Sequence, residues 1–229
     1  MAVDEALLRC GGKPTLRLYG WRPHAVSLGW FQSLSDFADL GPTTPIVRRA
    51  TGGGAIHHGD ELTFSLALDA ALLPHDIAAS YALLHDAIVR VLRALGVPCR
   101  RAPVGGPQSA RPSERWCFAA PVKDDLVTDA GKLLGSAQRR ITTDRPRVLH
   151  HGSLVLHRPQ HTPFVAAVAD HVEVDDSLRA RLRRALVAEL AASLERIPQP
   201  GTLTAAERTL ATTLRDDVYG SQAHLDRRP

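Results

Sequence analysis

The chain has 229 residues, of which 44% are hydrophobic and 23% charged, as in an ordinary globular domain. Its net charge of +4 is too small to indicate nucleic-acid binding by itself. The three cysteines lack the spacing of a disulfide framework or a paired-cysteine metal site, and no segment has the roughly 20 apolar residues of a transmembrane helix. We therefore expect a cytoplasmic monomer that binds no metal, membrane or nucleic acid.

The N-terminal part of the chain predicts one helix followed by four strands. MAVDEALLRC has helical spacing and ends at two glycines. Strands are predicted over TLRLYGW (15–21), AVSLGWF (25–31), TPIVRRA (44–50) and ELTFSLALD (61–69). The first two are expected to form one hairpin and the last two another, whose hinge is the glycine-rich segment GGGAIHHGD.

The rest of the chain predicts further helices around a group of short strands. Residues 77–95 have an apolar stripe at helical spacing, and Gly96 follows them. Segment 100–115 is dense in Pro, Gly, Ser and Arg and predicts a mobile loop, whereas 117–157 contains several strand candidates. Two more helices are predicted over 175–197 and 204–219. Residues 1–220 are expected to form a single domain, and 221–229 a frayed tail. Strands that come in hairpins favour an α+β fold with a mixed, mainly antiparallel sheet.

The segment RRATGGGAIHH (48–58) contains the most unusual pattern of the sequence. It matches neither standard nucleotide-binding glycine fingerprint, and its glycines alone are compatible with a plain turn. Arg48 and Arg49 end a strand, so one of them faces inward, where a guanidinium needs an anion or a carboxylate. Backbone N–H groups of the glycines, together with Thr51, are suited to bind a carbonyl or phosphate. We therefore favour a cleft for an elongated ligand that carries a carbonyl group.

This segment resembles the RR-x-[ST]-GGG-A-[VI]-x-H signature of the family of lipoate-protein ligases and octanoyltransferases. MAVDEALL, LRLYGWRPHAVSLGWFQ, GKLLGSAQRR and LHHGSLVL resemble other segments of that family in the same order, so the resemblance covers residues 1 to about 160. It implies a fold like that of biotin-protein ligases and class II aminoacyl-tRNA synthetases. It also implies a catalytic domain without the accessory C-terminal domain that many of the ligases carry.

The resemblance further implies two catalytic residues. Lys132, in GKLLGSAQRR, matches the family lysine that reaches the acyl carbonyl, although a lysine after a turn is more often simply solvated. Cys117, in RWCFAAPVKDDL, matches the nucleophile of octanoyltransferases similar to the LipM type, although a free cysteine is often an inert core residue. Nearby basic residues would favour the thiolate. The substrate-binding residues implied are Arg49, Thr51, Gly52, Gly53, Gly54, His58, Gly135, Ser136 and Ala137.

Other titratable residues have simpler explanations. His57 is expected to face outward, and Cys10 and Cys99 are expected to pack in the core. Asp125 matches an acidic position upstream of the family lysine and is interpreted as structural. The adjacent pair at 150–151 lacks the alternate spacing of metal ligands on a strand.

The function implied is octanoyl transfer in protein lipoylation. A cysteine thioester would carry an octanoyl or lipoyl group from acyl carrier protein to a lysine of a lipoyl carrier domain, either the glycine cleavage H protein or the E2 of a 2-oxoacid dehydrogenase. This reaction requires no cofactor. The alternative is an ATP-dependent lipoate-protein ligase that forms an acyl-adenylate and needs ATP and Mg²⁺. A non-catalytic or nucleic-acid-binding protein has only the basic run LRARLRRAL in its support.

Overall fold

The computed structural model describes residues 1–103, 115–142 and 144–227. Most of the predicted mobile loop, residues 104–114, lies outside the described residues. The start of that segment, Arg100–Arg101, forms a short strand instead of a loop.

The predicted helices are confirmed, and each begins or ends at a local signal. Asp76 accepts a hydrogen bond from the backbone of Ala79, Thr204 caps Glu207, and Gly11 ends the first helix with a φ of 67°. The helices are α1 (Ala2–Cys10), α2 (Ile77–Ala94), α3 (Asp176–Ser193), α4 (Ala205–Leu214) and α5 (Gln222–Leu225).

The strands form two sheets. They are β1 (Thr15–Tyr19), β2 (Ala25–Leu28), β3 (Ile46–Arg48), β4 (Ile56–His58), β5 (Glu61–Asp69), β6 (Arg100–Arg101), β7 (Leu126–Thr128), β8 (Gly131–Ile141) and β9 (Arg147–Val155). The large sheet has the order β1-β5-β9-β8-β7-β6 and its pairs are antiparallel. The small sheet has the order β3-β2-β4 and contains one parallel pair, β2 with β3. The predicted mixed, mainly antiparallel sheet flanked by helices is therefore confirmed.

Both hairpins predicted for the N-terminal strands are wrong. β1 pairs with β5 in the large sheet, whereas β2 lies in the small sheet between β3 and β4. The connection from β2 to β3 contains a 3-10 helix, Leu34–Leu40, and is long enough to bring β3 back parallel to β2. The glycine-rich segment therefore connects β3 to β4, and β4 then continues into β5 across the turn at 59–60.

The two faces of the large sheet have different chemistry. In β5 the apolar residues Leu62, Phe64, Leu66 and Leu68 alternate with Glu61, Thr63, Ser65 and Ala67. The apolar face packs against α2 and α3, so the second face carries polar groups into the interior. On α3, the buried stripe is Leu178, Leu182, Leu186 and Leu190, and most arginines of the basic run lie on its outer side. The helices of the described residues are all too short or too polar to span a bilayer.

The C-terminal segment packs against the small sheet as far as residue 227, in contrast to the predicted frayed tail over 221–229, of which residues 228–229 lie outside the described residues. Arg48, at the end of β3, is 1% exposed and donates hydrogen bonds to the backbone carbonyls of His224 and Leu225. It also donates to the carbonyls of Gly29 and Gln32. Because these carbonyls satisfy the guanidinium, the expected need for an anion beside a buried arginine does not hold at this position.

Candidate active site

The segment that carries Cys117 lies directly on the glycine-rich loop (residues 51–55). Ala55 N donates to Arg115 O at 2.7 Å, and Cys117 N donates to Ala55 O at 2.8 Å. A Cβ on Gly54 would lie 2.7 Å from Cys117 N and 3.0 Å from its Cα, closer than real side chains approach backbone. Gly53 has a φ of 93°, a conformation that favours glycine. The glycines therefore allow the two backbone segments to touch, and the sulfur-bearing residue is half-buried.

Lys132, on β8, brings its ammonium to this half-buried sulfur. The side chain is 2% exposed, and its Nζ lies 2.7 Å from Asp125 Oδ2, 3.0 Å from Cys117 O and 3.6 Å from Cys117 Sγ. The ring centroid of Phe118 lies 4.9 Å from the same nitrogen. Burial acts to lower the pKa of Lys132, but the negative charges of Cys117 and Asp125 outweigh burial and raise it above its ordinary value. The side chain is therefore a buried ammonium beside the Cys117 sulfur.

Arg49 shapes the glycine-rich loop from inside. Its guanidinium is buried and donates to Ser27 O at 3.0 Å, Gly52 O at 2.9 Å and Gly54 O at 2.6 Å. Burial lowers the pKa of Arg49, while the negative charge of nearby Cys117 acts in the opposite direction. Arg49, which the sequence predicts to bind substrate, supports the loop in the structure. It binds the loop carbonyls and places a positive charge near the sulfur.

His58 also supports the loop from behind. Its Nε2 lies 2.7 Å from Ser27 Oγ and its Nδ1 lies 2.9 Å from Glu61 Oε1, and its ring stacks on Trp21 at 3.9 Å. A carboxylate accepts at Nδ1, so the hydrogen-bond network assigns the ring proton to Nδ1 and leaves Nε2 as acceptor. The histidine therefore fixes Ser27, which in turn accepts from Arg49.

The polar face of the large sheet extends the site beyond the loop. Thr51 Oγ1 lies 3.0 Å from His151 Nε2, and Ala137 is the strand partner of His151. Gly135, two residues before Ala137, lies on the same face. Burial lowers the pKa of His151 to about 4, so its ring is neutral at physiological pH. These small and neutral residues leave a weakly polar surface beside the glycine-rich loop.

Ser136 lies on the opposite face of the sheet. Its hydroxyl is 2.7 Å from Nε2 of His85, a residue of α2 on the other side of β8. The side chain therefore faces the core and does not join the other predicted substrate-binding residues, since adjacent strand residues point in opposite directions. Its backbone pairs with Gly152 of β9.

Several residues differ from the sequence interpretation. Asp125, interpreted as structural, contacts the Lys132 ammonium directly. His57 is buried, although it was expected to face outward, and Cys10 is exposed, although it was expected to pack in the core; Cys99 is buried as predicted. The sequence signal for Asp125 is its place just before β7, which pairs with the strand that carries the lysine.

The geometry agrees with comparisons to known proteins. Residues 1–212 match the model of the lipoyl protein ligase A/B catalytic domain. The octanoyltransferase LipM of Kyrpidia tusciae is 33% identical to this chain over 93% of this chain and 89% of the relative. The octanoyltransferase LipM of an Exiguobacterium strain is 37% identical over 77% of this chain and 68% of the relative.

Solved structures of related folds give the same result. A lipoate-protein ligase A bound with ATP superimposes with a TM-score of 0.77 at 26% identity, and the match covers 98% of this chain and 92% of the other. A bi-partite lipoate protein ligase from Thermoplasma acidophilum has a TM-score of 0.75 at 24% identity, covering 100% of this chain and 91% of the other, which supports the fold. With the glycine-rich loop and the buried lysine in place, these matches lead to one conclusion: the chain belongs to the family of lipoyl protein ligase A/B catalytic domains.

Proposed function

We propose that this protein is an octanoyltransferase of protein lipoylation, which moves an octanoyl or lipoyl group through a thioester on Cys117. The single observation that carries the proposal is the 3.6 Å separation of Cys117 Sγ from Lys132 Nζ beside the glycine-rich loop. Relatives at 33% and 37% identity that are named octanoyltransferases support the same reaction.

In the first half-reaction the thiolate of Cys117 attacks the carbonyl carbon of an acyl thioester on acyl carrier protein. A new carbon–sulfur bond forms to Sγ, the bond to the phosphopantetheine sulfur breaks, and the leaving thiolate takes up one proton. That proton replaces the one that Cys117 gave up, so the step is balanced. The ammonium of Lys132 stabilises the thiolate first and the developing oxyanion afterwards. The product is a covalent acyl-enzyme.

In the second half-reaction a lysine amine of a lipoyl carrier domain attacks the acyl-enzyme. An amide bond forms, the thioester to Cys117 breaks, and the proton lost by the amine returns to the sulfur. The enzyme is regenerated without ATP, a metal or a redox cofactor. Two successive partners that share one covalent intermediate predict ping-pong kinetics.

The charge of the chain suits such partners. A net charge of +4 attracts acidic proteins over distances beyond direct contact. Acyl carrier protein and lipoyl carrier domains, either the glycine cleavage H protein or the E2 of a 2-oxoacid dehydrogenase, are the acidic proteins that the proposal requires. Binding to both should weaken as the salt concentration rises.

The second candidate is an ATP-dependent lipoate-protein ligase, and the similarity to a ligase bound with ATP favours it. In that reaction Lys132 would contact an acyl-adenylate, and Mg²⁺ would accompany ATP. Such a ligase needs no thiol at position 117. The two functions therefore differ in whether Cys117 is required and whether pyrophosphate is released.

The test is mass spectrometry of the intact protein after incubation with octanoyl acyl carrier protein. We expect one octanoyl adduct, located on Cys117, and no adduct or transfer by the Cys117→Ala variant. Cys99→Ala serves as a matched control, because Cys99 is buried in the core away from this loop and should leave the adduct unchanged. Activity that survives Cys117→Ala, together with pyrophosphate release from ATP, Mg²⁺ and free lipoate, would instead identify a ligase.

A further inference from the structure

Asp125 is buried between a backbone turn and the Lys132 ammonium. The residue is 4% exposed, and its Oδ2 lies 2.7 Å from Lys132 Nζ. The same oxygen accepts a hydrogen bond from Val122 N, also at 2.7 Å. The carboxylate therefore ties the ammonium to the turn that precedes β7.

The backbone conformation of the neighbouring residue, Asp124, sets the direction of this carboxylate. Asp124 has a φ of 72°, which is uncommon for a residue other than glycine and is tolerated best by Asp and Asn. Its own carboxylate pairs with Arg101 at 2.5 Å, and its backbone carbonyl accepts from His85 Nδ1. The turn thus orients two consecutive carboxylates toward different cations: Asp124 pairs with Arg101, and Asp125 pairs with Lys132.

We propose that Asp125 is a positioning residue of the acyl transfer: its carboxylate keeps the Lys132 side chain charged and aimed at Cys117 Sγ. The inference rests on the proposed transfer through Cys117. The inference adds a third buried group, Asp125, to the pair formed by the Cys117 sulfur and the Lys132 ammonium. In this role Asp125 acts through Lys132 and contacts neither the sulfur nor the acyl chain.

The physical reason is the cost of a buried charge. An ammonium that is removed from water loses its proton readily unless an opposite charge meets it. At Lys132, burial lowers the pKa, and the charges of Cys117 and Asp125 together raise it above the ordinary value. Without Asp125, the sulfur is the one group of the described residues that opposes burial, and the lysine becomes a neutral amine at a lower pH. A neutral amine stabilises neither a thiolate nor an oxyanion.

Among the described residues, the other groups around this centre leave Asp125 as the carboxylate that compensates Lys132. On α2, burial raises the pKa of Tyr81 to about 12 and lowers that of His85, so both are neutral near pH 7. Just before the glycine-rich loop, Arg49 contributes a further positive charge near the sulfur, and the carboxylate of Asp124 pairs with Arg101.

The test compares Asp125→Asn with Asp124→Asn, a control at the adjacent and equally buried position. The rate of octanoyl adduct formation on Cys117 is measured by quenched-flow mass spectrometry from about pH 6 to about pH 10, across the titration of thiols and ammonium groups. Because the pKa of Lys132 is raised, we expect no alkaline limb for the wild type up to about pH 10, whereas Asp125→Asn should slow the adduct at least about tenfold and bring an alkaline limb into this range. Asp124→Asn should show no alkaline limb in this range, as in the wild type. Asp125→Glu, which keeps the charge, should restore the wild-type profile.

The outcomes separate the inference from the proposed function. If the wild-type protein forms no adduct, the proposed function and this inference both fail. If the wild type forms the adduct but Asp125→Asn has the same alkaline profile as Asp124→Asn, only the inference is overturned. Thermal unfolding identifies a variant that does not fold; Asp125→Ser, which retains an oxygen for Val122 N–H, then replaces Asp125→Asn with the same expected alkaline limb.

Discussion

Gly135 occupies the position on β8 beside which the Lys132 side chain is folded. An added Cβ would lie 2.7 Å from Lys132 Cε, 2.9 Å from Nζ and 3.6 Å from Asp125 Oδ1. The obstacle is the end of a flexible side chain, so an alanine can be accommodated if the ammonium moves away. Glycine at position 135 is therefore needed to leave room for the Lys132 ammonium, and it is less important for the fold.

We predict that Gly135→Ala keeps the fold but loses acyl transfer. The displaced ammonium would leave Asp125 and Cys117, and the rate of adduct formation should fall at least about tenfold, because an oxyanion donor is removed. Thermal unfolding and the adduct assay measure the two effects separately. Gly201→Ala is the control, since an added Cβ there meets no atom within 4 Å. A normal adduct rate in Gly135→Ala would mean that the position of the ammonium is not critical.

At the scale of an element, the glycine-rich loop is a fixed structure held from two sides. Trp30 N donates to Thr51 O at 2.9 Å, and a Cβ on Gly29 would lie only 1.8 Å from Gly53 O. On the other side, Gly54 lies against the backbone of Cys117. The sequence predicts only the hinge of a hairpin here, which would not position the sulfur. In the structure, three backbone segments in contact hold it in place.

The contacts of the loop predict that alanine substitutions at Gly54 and Gly52 lower the free energy of unfolding by different amounts. At Gly54 a Cβ would press on the Cys117 backbone at 2.7 Å, so we expect Gly54→Ala to lower the free energy of unfolding by about 1–3 kcal/mol and to abolish the adduct. At Gly52 the nearest atoms belong to the exposed Phe31 ring at 3.7 Å, an ordinary contact. Gly52→Ala should therefore unfold near the wild-type denaturant concentration. Equal costs in urea denaturation would contradict this description of the loop.

The sequence predicts the elements better than their pairing. Gly96 and the apolar stripe before it place α2, and the alternation of β5 is visible in ELTFSLALD. The partner of β2 is not visible, because a strand of four fully buried residues carries no information about which sheet it joins. The α+β class follows from the pattern of strands, whereas the ligase-like fold and the pair of Cys117 and Lys132 follow from the family resemblance.

The supporting residues of the site were harder to find than its chemical groups. Ser136 was assigned to the site from its motif, although the alternation of a strand sends it to the opposite face from Gly135 and Ala137. Asp125 was interpreted as structural because its contact with Lys132 depends on the turn at Asp124, whose positive φ no sequence pattern announces. The role of a residue that acts through a neighbouring side chain can be recognised only when the structure shows where that neighbour lies.

At the scale of the whole molecule, burial keeps four histidines neutral. Burial lowers the pKa values of His57 and His151 to about 4, and it also lowers those of His85 and His150. In the unfolded chain the same rings titrate near pH 6.5. Between these values the unfolded state binds more protons than the folded state, so stability falls as the pH decreases.

We predict that the free energy of unfolding decreases continuously as the pH falls from about 6.5 to about 4, the interval between the unfolded and folded histidine pKa values. Asp4, whose pKa is also lowered, contributes stability that is lost only at more acidic pH, below the ordinary range of aspartate. Urea denaturation at several pH values measures the slope. Removing one of these rings in His57→Gln should make the slope shallower. A free energy that stays constant across this interval would show that the rings are protonated in the folded protein.

An ammonium has three N–H bonds, and in the part of the chain that the structure describes Lys132 has three acceptors: the Asp125 carboxylate, the Cys117 sulfur and the Cys117 carbonyl. An incoming acyl oxygen can be held by this nitrogen only in exchange for one of them. In the proposed transfer the sulfur loses its negative charge as it bonds to the acyl carbon, so the contact of the ammonium with Cys117 Sγ is the first to weaken. The Asp125 carboxylate and the Cys117 carbonyl then keep the nitrogen in place while its third N–H bond turns from the sulfur to the oxyanion.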